Sequence, residues 1–191
     1  MKYLYLTIAG LCCLFSVCAQ RKDIYVLPQA ALLNGDVAVS AQVSLTAGME
    51  YGLWSFGLGA AIDYYKIRTV PVFADIRRKW NARSPVFAYS GIGYDIAWPT
   101  ETQYMWGPDN WGGNREDHFT GGWYGELGIG YAFENGKKQG VVLSLGYSLK
   151  TVTEITSEPR MRDFPPYTIE WYDKNYDYNF GRIVIKAGFR L

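Results

Sequence analysis

His118 is the sole histidine in a chain of 191 residues. It follows Glu116 and Asp117, and a histidine with an acid and a serine is the constellation of nucleophilic hydrolysis. The nearest serines by depth are Ser157 and Ser90, and no spacing ties either one to His118. The competing reading is an exposed histidine at a loop base. Asp109, Asn110, Asn114, Glu116 and Asp117 concentrate oxygen donors, but their spacing does not match a calcium loop, so a solvated polar loop is the better reading. Gly57-Leu58-Gly59 and Gly128-Ile129-Gly130 lack the third glycine and following helix of a phosphate cradle. Glycines on a crowded inner wall explain them better. No cofactor and no metal are expected. The stronger signal is aromatic: Tyr104, Met105, Trp106, Trp111, Phe164, Tyr167, Trp171, Tyr172 and Tyr176 crowd two segments. Aromatic side chains exposed together mark a binding surface for a protein or a glycan, unless they pack on one another and on the rim beneath.

The elements that must position these residues are strands. Eight segments alternate apolar with small or polar residues: about 23–33, 37–51, 54–65, 69–80, 85–98, 118–133, 139–154 and 176–191. The first is the weakest and is followed by Asn34-Gly35, a hairpin signal. Pro71 has no N–H for a ladder and must sit near a rim. In the third, Trp54, Phe56, Leu58, Ala60, Ile62 and Tyr64 share a face. In the sixth, Phe119, Trp123, Leu127, Ile129, Tyr131 and Phe133 do.

Such a period of two gives each strand one apolar face. The opposite face carries Glu50, Asp63, Asp75, Arg77, Lys79, Asp95, Glu126, Lys150, Arg182, Lys186 and Arg190. Both signs are present, so turned inward they can pair across a narrow lumen. Buried in a soluble core beside large apolar residues, they would have no reason to keep to one face. The expected fold is therefore all-β: an eight-stranded antiparallel up-and-down transmembrane β-barrel, with its apolar face to lipid.

Composition agrees. Aromatic residues make up 17% of the chain, and tyrosine and tryptophan dominate them. These are the residues favoured at membrane–water interfaces. After the N-terminal stretch no segment has 18 or more consecutive apolar residues, so any span must be made by strands. Residues 1–19 read as a cleaved signal peptide: Lys2, an apolar run from about Tyr3 to Val17, and a cut after Ala19. Residues 20–191 form the barrel domain. All three cysteines, Cys12, Cys13 and Cys18, lie in that leader, so the mature chain has neither disulfide nor thiolate site. Lys2 is the leader's one charge, so the mature domain balances its acids and bases and gives no support for nucleic-acid binding.

With the C-terminus in the periplasm, strand counting places the tight turns 51–54, 81–84 and 134–138 on one side. The two long loops, about 99–117 and 155–175, fall on the other, as membrane barrels require. Tyr51, Trp54, Trp80, Phe133 and Phe189 mark one aromatic girdle, and Tyr64, Trp98, Phe119 and Trp123 the other.

The segments VPVFADIRRKW, SPVFAYSGIGYDIAW, GGWYGELGIGYAF and GVVLSLGYSL, with a final IKAGFRL, resemble the small outer-membrane β-barrel proteins of bacteroidete bacteria. Their architecture is akin to the eight-stranded OmpA/OmpX type. The resemblance implies the bacterial outer membrane as location, its lipid as surroundings, and the outer-membrane insertion machinery as a partner during assembly. It implies no shared activity. Three functions follow as expectations. The first is a non-enzymatic barrel that stabilises the envelope or binds an extracellular protein or glycan through Tyr104, Trp106, Trp111, Phe164, Tyr167, Trp171 and Tyr172. The second is a lipid-modifying barrel enzyme using His118. The third is a soluble periplasmic lipocalin-like barrel with its apolar face inward.

Overall fold

The computed structural model describes residues 24–36, 38–99, 117–135, 139–161 and 169–191. The signal-peptide segment lies outside them. The eight strands are β1 (Ile24–Gly35), β2 (Val39–Tyr51), β3 (Trp54–Asp63), β4 (Thr69–Lys79), β5 (Val86–Ala97), β6 (Asp117–Glu134), β7 (Gly140–Met161) and β8 (Ile169–Arg190). Each pairs antiparallel with its neighbour in sequence, and β1 pairs with β8 to close the barrel. Mutual bonds between the backbones of Val26 and Leu191 continue that closure to the short-turn end. The expected eight-stranded all-β barrel is the fold.

The wall is inverted relative to a soluble barrel. Leu58, Ile92, Leu127 and Ile185 are more than half exposed on the outside, while Asp63, Asp95 and Lys150 are fully buried inside. An inward apolar face of the lipocalin type is not what this chain builds.

β1 shows why its own sequence signal is weak. Tyr25, Leu27, Ala31 and Leu33 face inward and are buried, yet Leu32 faces outward. Both faces are apolar, so little alternation is left to read. Tyr25 and Leu27 pack across the lumen on Phe87, Tyr89, Ala132 and Val142. Asn34-Gly35 is not the turn: β1 continues through Gly35, Asn34 pairs with Val39, and the chain reverses after Gly35. Continued pairing of Leu33, Asn34 and Gly35 with β8 holds the strand straight past the expected corner.

Two strand irregularities matter. The β3–β4 ladder skips from the pair Ala60–Val72 to Asp63–Thr69, in the stretch that contains Pro71, which has no N–H to donate. In β6 the register shifts between Gly121 and Tyr124. This bulge reverses the side-chain alternation beyond it. Phe119 therefore pairs with Glu154, on the inward side of β7, and does not belong to the outward girdle with Trp123.

The largest departure concerns residues 155–175, expected as a loop. β7 and β8 stay paired from Gly140–Arg190 to Met161–Ile169, whereas β6 accompanies β7 only as far as Thr156 and β1 meets β8 only from Arg182. The two strands rise together past the rim as a long hairpin. Asp173, Asn175 and Asp177 at outward positions of β8 are polar and exposed and give no lipid-facing apolar stripe, so alternation there was not legible as strand. β3 also ends earlier than expected. It stops at Asp63, and Tyr65 leaves the wall to enter the lumen.

Candidate functional site

Two regions have the composition of a site: the lumen and the β7–β8 hairpin. The lumen holds three tiers of charge, because inward positions on neighbouring strands fall at the same depth. At the short-turn end, Arg190 Nη2 lies 2.7 Å from Glu50 Oε1 and Lys79 Nζ lies 3.6 Å from it. The Arg190 guanidinium also stands 4.4 Å from the centre of the Tyr25 ring. In the middle, Glu126 accepts from Tyr89 Oη at 2.7 Å, Tyr124 Oη at 2.5 Å and Lys186 Nζ at 2.6–2.7 Å. Beside it, Arg77 Nε donates to Asp75 Oδ1 at 2.6 Å.

At the outer end, Arg182 Nη1 donates to Asp63, and Lys150 Nζ lies 3.5 Å from the same carboxylate. Lys150 also donates to the carbonyls of Tyr65 and Ile67 at 3.2 and 2.7 Å. The turn between β3 and β4 is thereby tied into the lumen mouth. Lys66 takes a φ of 56° there, and Tyr65 N–H is held by Asp63 Oδ1 at 2.7 Å. Tyr65 packs edge-on against Phe180 with ring centres 5.6 Å apart. Of the eleven lumen charges, Asp95 stands apart: its carboxylate oxygens have no hydrogen-bond partner among the described residues.

This interior is filled. A void of about 10 Å³ lined by Ser55, Arg77, Lys79, Phe87, Ala132, Val142 and Arg190 has space for one water at most. The inner-wall glycines make the filling possible. A Cβ at Gly59 would meet the Phe73 ring at 2.6 Å, and one at Gly130 would meet the Phe87 ring at 2.3 Å. A barrel of eight strands has just enough interior for side chains, and these side chains occupy it.

The hairpin is the opposite case. On the face of β8 that continues the lumen wall upward, Tyr172, Lys174, Tyr176, Tyr178 and Phe180 follow at every second position. Tyr178 and Phe180 rings lie parallel, 3° apart in plane and 5.9 Å between centres. Lys66 stands 5.8 and 5.9 Å from these two ring centres, and Lys174 stands 4.8 Å from Tyr176. Across on β7, Glu154 accepts from Tyr178 Oη at 2.9 Å. Thr153 donates to Asp177 at 2.8 Å on the opposite face. Tyr172 is exposed.

Of the aromatic residues expected to bind a partner, Tyr104, Trp106, Trp111, Phe164 and Tyr167 lie outside the described residues. Trp171 and Tyr172 lie in β8, paired with Pro159 and Glu158. Tyr178 was missed in the sequence. It lies within the expected strand 176–191, and its signal was the period-two run of Tyr176, Tyr178 and Phe180 at the start of that strand. Arg78 was also missed, although it stands between Arg77 and Lys79 on the opposite, outward face.

The structure separates one of the two candidate serines from His118, and Glu116 lies outside the described residues. Ser90 faces outward and pairs with Leu127, nine residues along β6 from His118, or about 30 Å at strand rise. His118 pairs with Ile155, and Asp117 with Thr156.

No family model matches the chain, and no curated protein matches it. Solved structures are similar, among them two outer-envelope proteins. Neisserial surface protein A is 15% identical, with 90% of this chain and 99% of that one covered and a TM-score of 0.46. The outer membrane protein OprG from Pseudomonas aeruginosa is 14% identical, with 88% and 95% covered and a TM-score of 0.52. The likeness to OprG extends over nearly the whole barrel and shows a shared fold.

Proposed function

We propose that this chain is a non-enzymatic bacterial outer-membrane barrel that works at its surface, presenting the β7–β8 hairpin to an extracellular protein or glycan. The observation that carries the membrane reading is the inverted wall: large apolar side chains outside, paired charges inside. OprG is named as an outer membrane protein, which supports the same location. The bacteroidete resemblance and a cleaved leader belong to this reading, as does assembly by the outer-membrane insertion machinery. The described side chains pack closely in the lumen, so in this reading the work falls to what stands above the rim. There, Tyr172 is exposed and Tyr176 partly so, with Lys174 between them, a surface suited to stacking with hydrogen bonding at its edges.

Fractionation followed by gel electrophoresis with and without boiling tests the membrane reading. Outer-membrane recovery with a mobility shift on boiling is expected, and release by osmotic shock without a shift would defeat it. Protease treatment of intact cells tests the orientation. Cleavage within the hairpin with the rest of the chain protected is expected, and complete protection would place the hairpin on the wrong side. A glycan array probed with the purified protein and with Tyr172→Ala/Tyr176→Ala tests the contact surface. Binding lost in the double variant supports it, and equal binding by both would remove the hairpin from the role.

A further inference from the structure

We propose that the outer wall at the short-turn end carries a binding site for the phosphate of an anionic glycerophospholipid, centred on Arg78; this rests on the membrane reading above. Among the described strand residues that face outward below the outer rim, Arg78 is the one charged side chain. It lies opposite Trp54 on β3, whose ring centre is 5.1 Å from the guanidinium carbon. Its neighbours in sequence are engaged elsewhere: Arg77 with Asp75 and Lys79 with Glu50. Arg78 itself has no carboxylate partner among the described residues.

An open groove of about 320 Å³ adjoins it, lined by Arg78, Lys79, Trp80 and Ala88. Trp80 is 77% exposed beside it. The following turn adds Arg83, whose backbone N–H is held by Asn81 Oδ1 at 3.0 Å and whose exposed side chain has no acid partner among the described residues.

A cation on a lipid-facing wall is unfavourable unless it reaches the headgroup level and finds an anion there. Tryptophan rings occupy that level, and Trp54 and Trp80 flank Arg78. The planar guanidinium matches a phosphate through two parallel N–H donors. Two arginines without a nearby acid favour a headgroup of net negative charge. A zwitterionic headgroup would bring an ammonium of its own into the same groove.

Native mass spectrometry of the full chain from detergent micelles tests this, with phosphatidylglycerol, phosphatidylcholine and inorganic phosphate as separate probes. Phosphatidylglycerol is expected to be retained about tenfold better than phosphatidylcholine. Arg78→Gln is expected to lower that retention about tenfold and Arg83→Gln about threefold, the size of single charge contacts at an interface. Each variant is checked for its mobility shift on boiling, which a folded barrel keeps. Equal retention of phosphatidylglycerol by Arg78→Gln would overturn the proposal, as would equal retention of the two lipids by the native sequence. Displacement of the lipid by millimolar inorganic phosphate would overturn it too, in favour of a free-anion site. A native chain that shifts on boiling but shows no lipid preference sinks the proposal alone. A native chain recovered as a soluble protein without a shift sinks the membrane reading, and the proposal with it.

Discussion

Inside the barrel, β8 presents Phe180, Arg182, Val184 and Lys186 to the lumen; above it, the same face of the same strand presents Tyr172, Lys174, Tyr176 and Tyr178. Nothing in the backbone changes between the two stretches. What changes is the opposite side. Below the rim, seven other strands bring complementary charges and hydroxyls within bonding distance, so a buried cation is paired: Arg182 with Asp63 and Ser148, Lys186 with Glu126. Above the rim, among the described residues, only β7 is paired with β8, and Tyr172 is exposed there. The contrast separates residues that hold the barrel shut from residues that stand above it.

The sharpest way to break that contrast is at Asp63. Arg182→Met leaves this buried carboxylate with Lys150 as its one cation among the described residues, beside the Tyr65 N–H, and is expected to cost about 3–5 kcal/mol. Urea unfolding of the folded, gel-shifted form in micelles would register this as a lower midpoint. Asp63→Leu combined with Arg182→Met should regain most of the loss, because an apolar pair leaves no charge unmatched. A double variant as unstable as the single would mean that packing, and not charge pairing, sets the stability of this tier.

Glu126 is the next test. Glu126→Gln keeps the shape but removes the charge that Lys186, Tyr89 and Tyr124 share, with an expected cost of about 2–3 kcal/mol by the same measurement. In the hairpin, Tyr176→Ala should shift the midpoint by less than about 1 kcal/mol, since its ring is only partly covered. An effect as large as that of Glu126→Gln would make the hairpin part of the barrel's structural core.

The smallest perturbation uses no substitution. Amide hydrogen exchange should leave Leu143–Leu149 protected far longer than Asp173–Asp177, because the first stretch is paired on both sides and the second on one. Equal protection would show that the hairpin is covered by further chain, and would move the binding surface elsewhere.

The membrane architecture was legible because a two-residue period is local. Val39 to Tyr51 and Trp54 to Tyr64 announce their outward faces without help from any other strand. The charges Asp63, Glu126, Lys150 and Arg182 were likewise readable as one-sided. Their partners were not, since which cation meets which carboxylate depends on stagger between strands far apart in sequence. The errors have similar causes. Phe119 changed sides through a bulge set by pairing with β7, and Asn34-Gly35 failed as a turn because β8 holds β1 straight. Tyr65 left its strand because Lys150, 85 positions away, draws its carbonyl inward.

By itself, then, the sequence determined that the chain forms eight strands and which face of most of them is apolar, because alternation and hydropathy act between near neighbours. Only the tertiary structure decided that the lumen is filled, that Asp63 joins Arg182 and Lys150, and that β7 and β8 outgrow the barrel. Those outcomes depend on register and closure, which bring together residues whose separation along the chain carries no trace of their meeting.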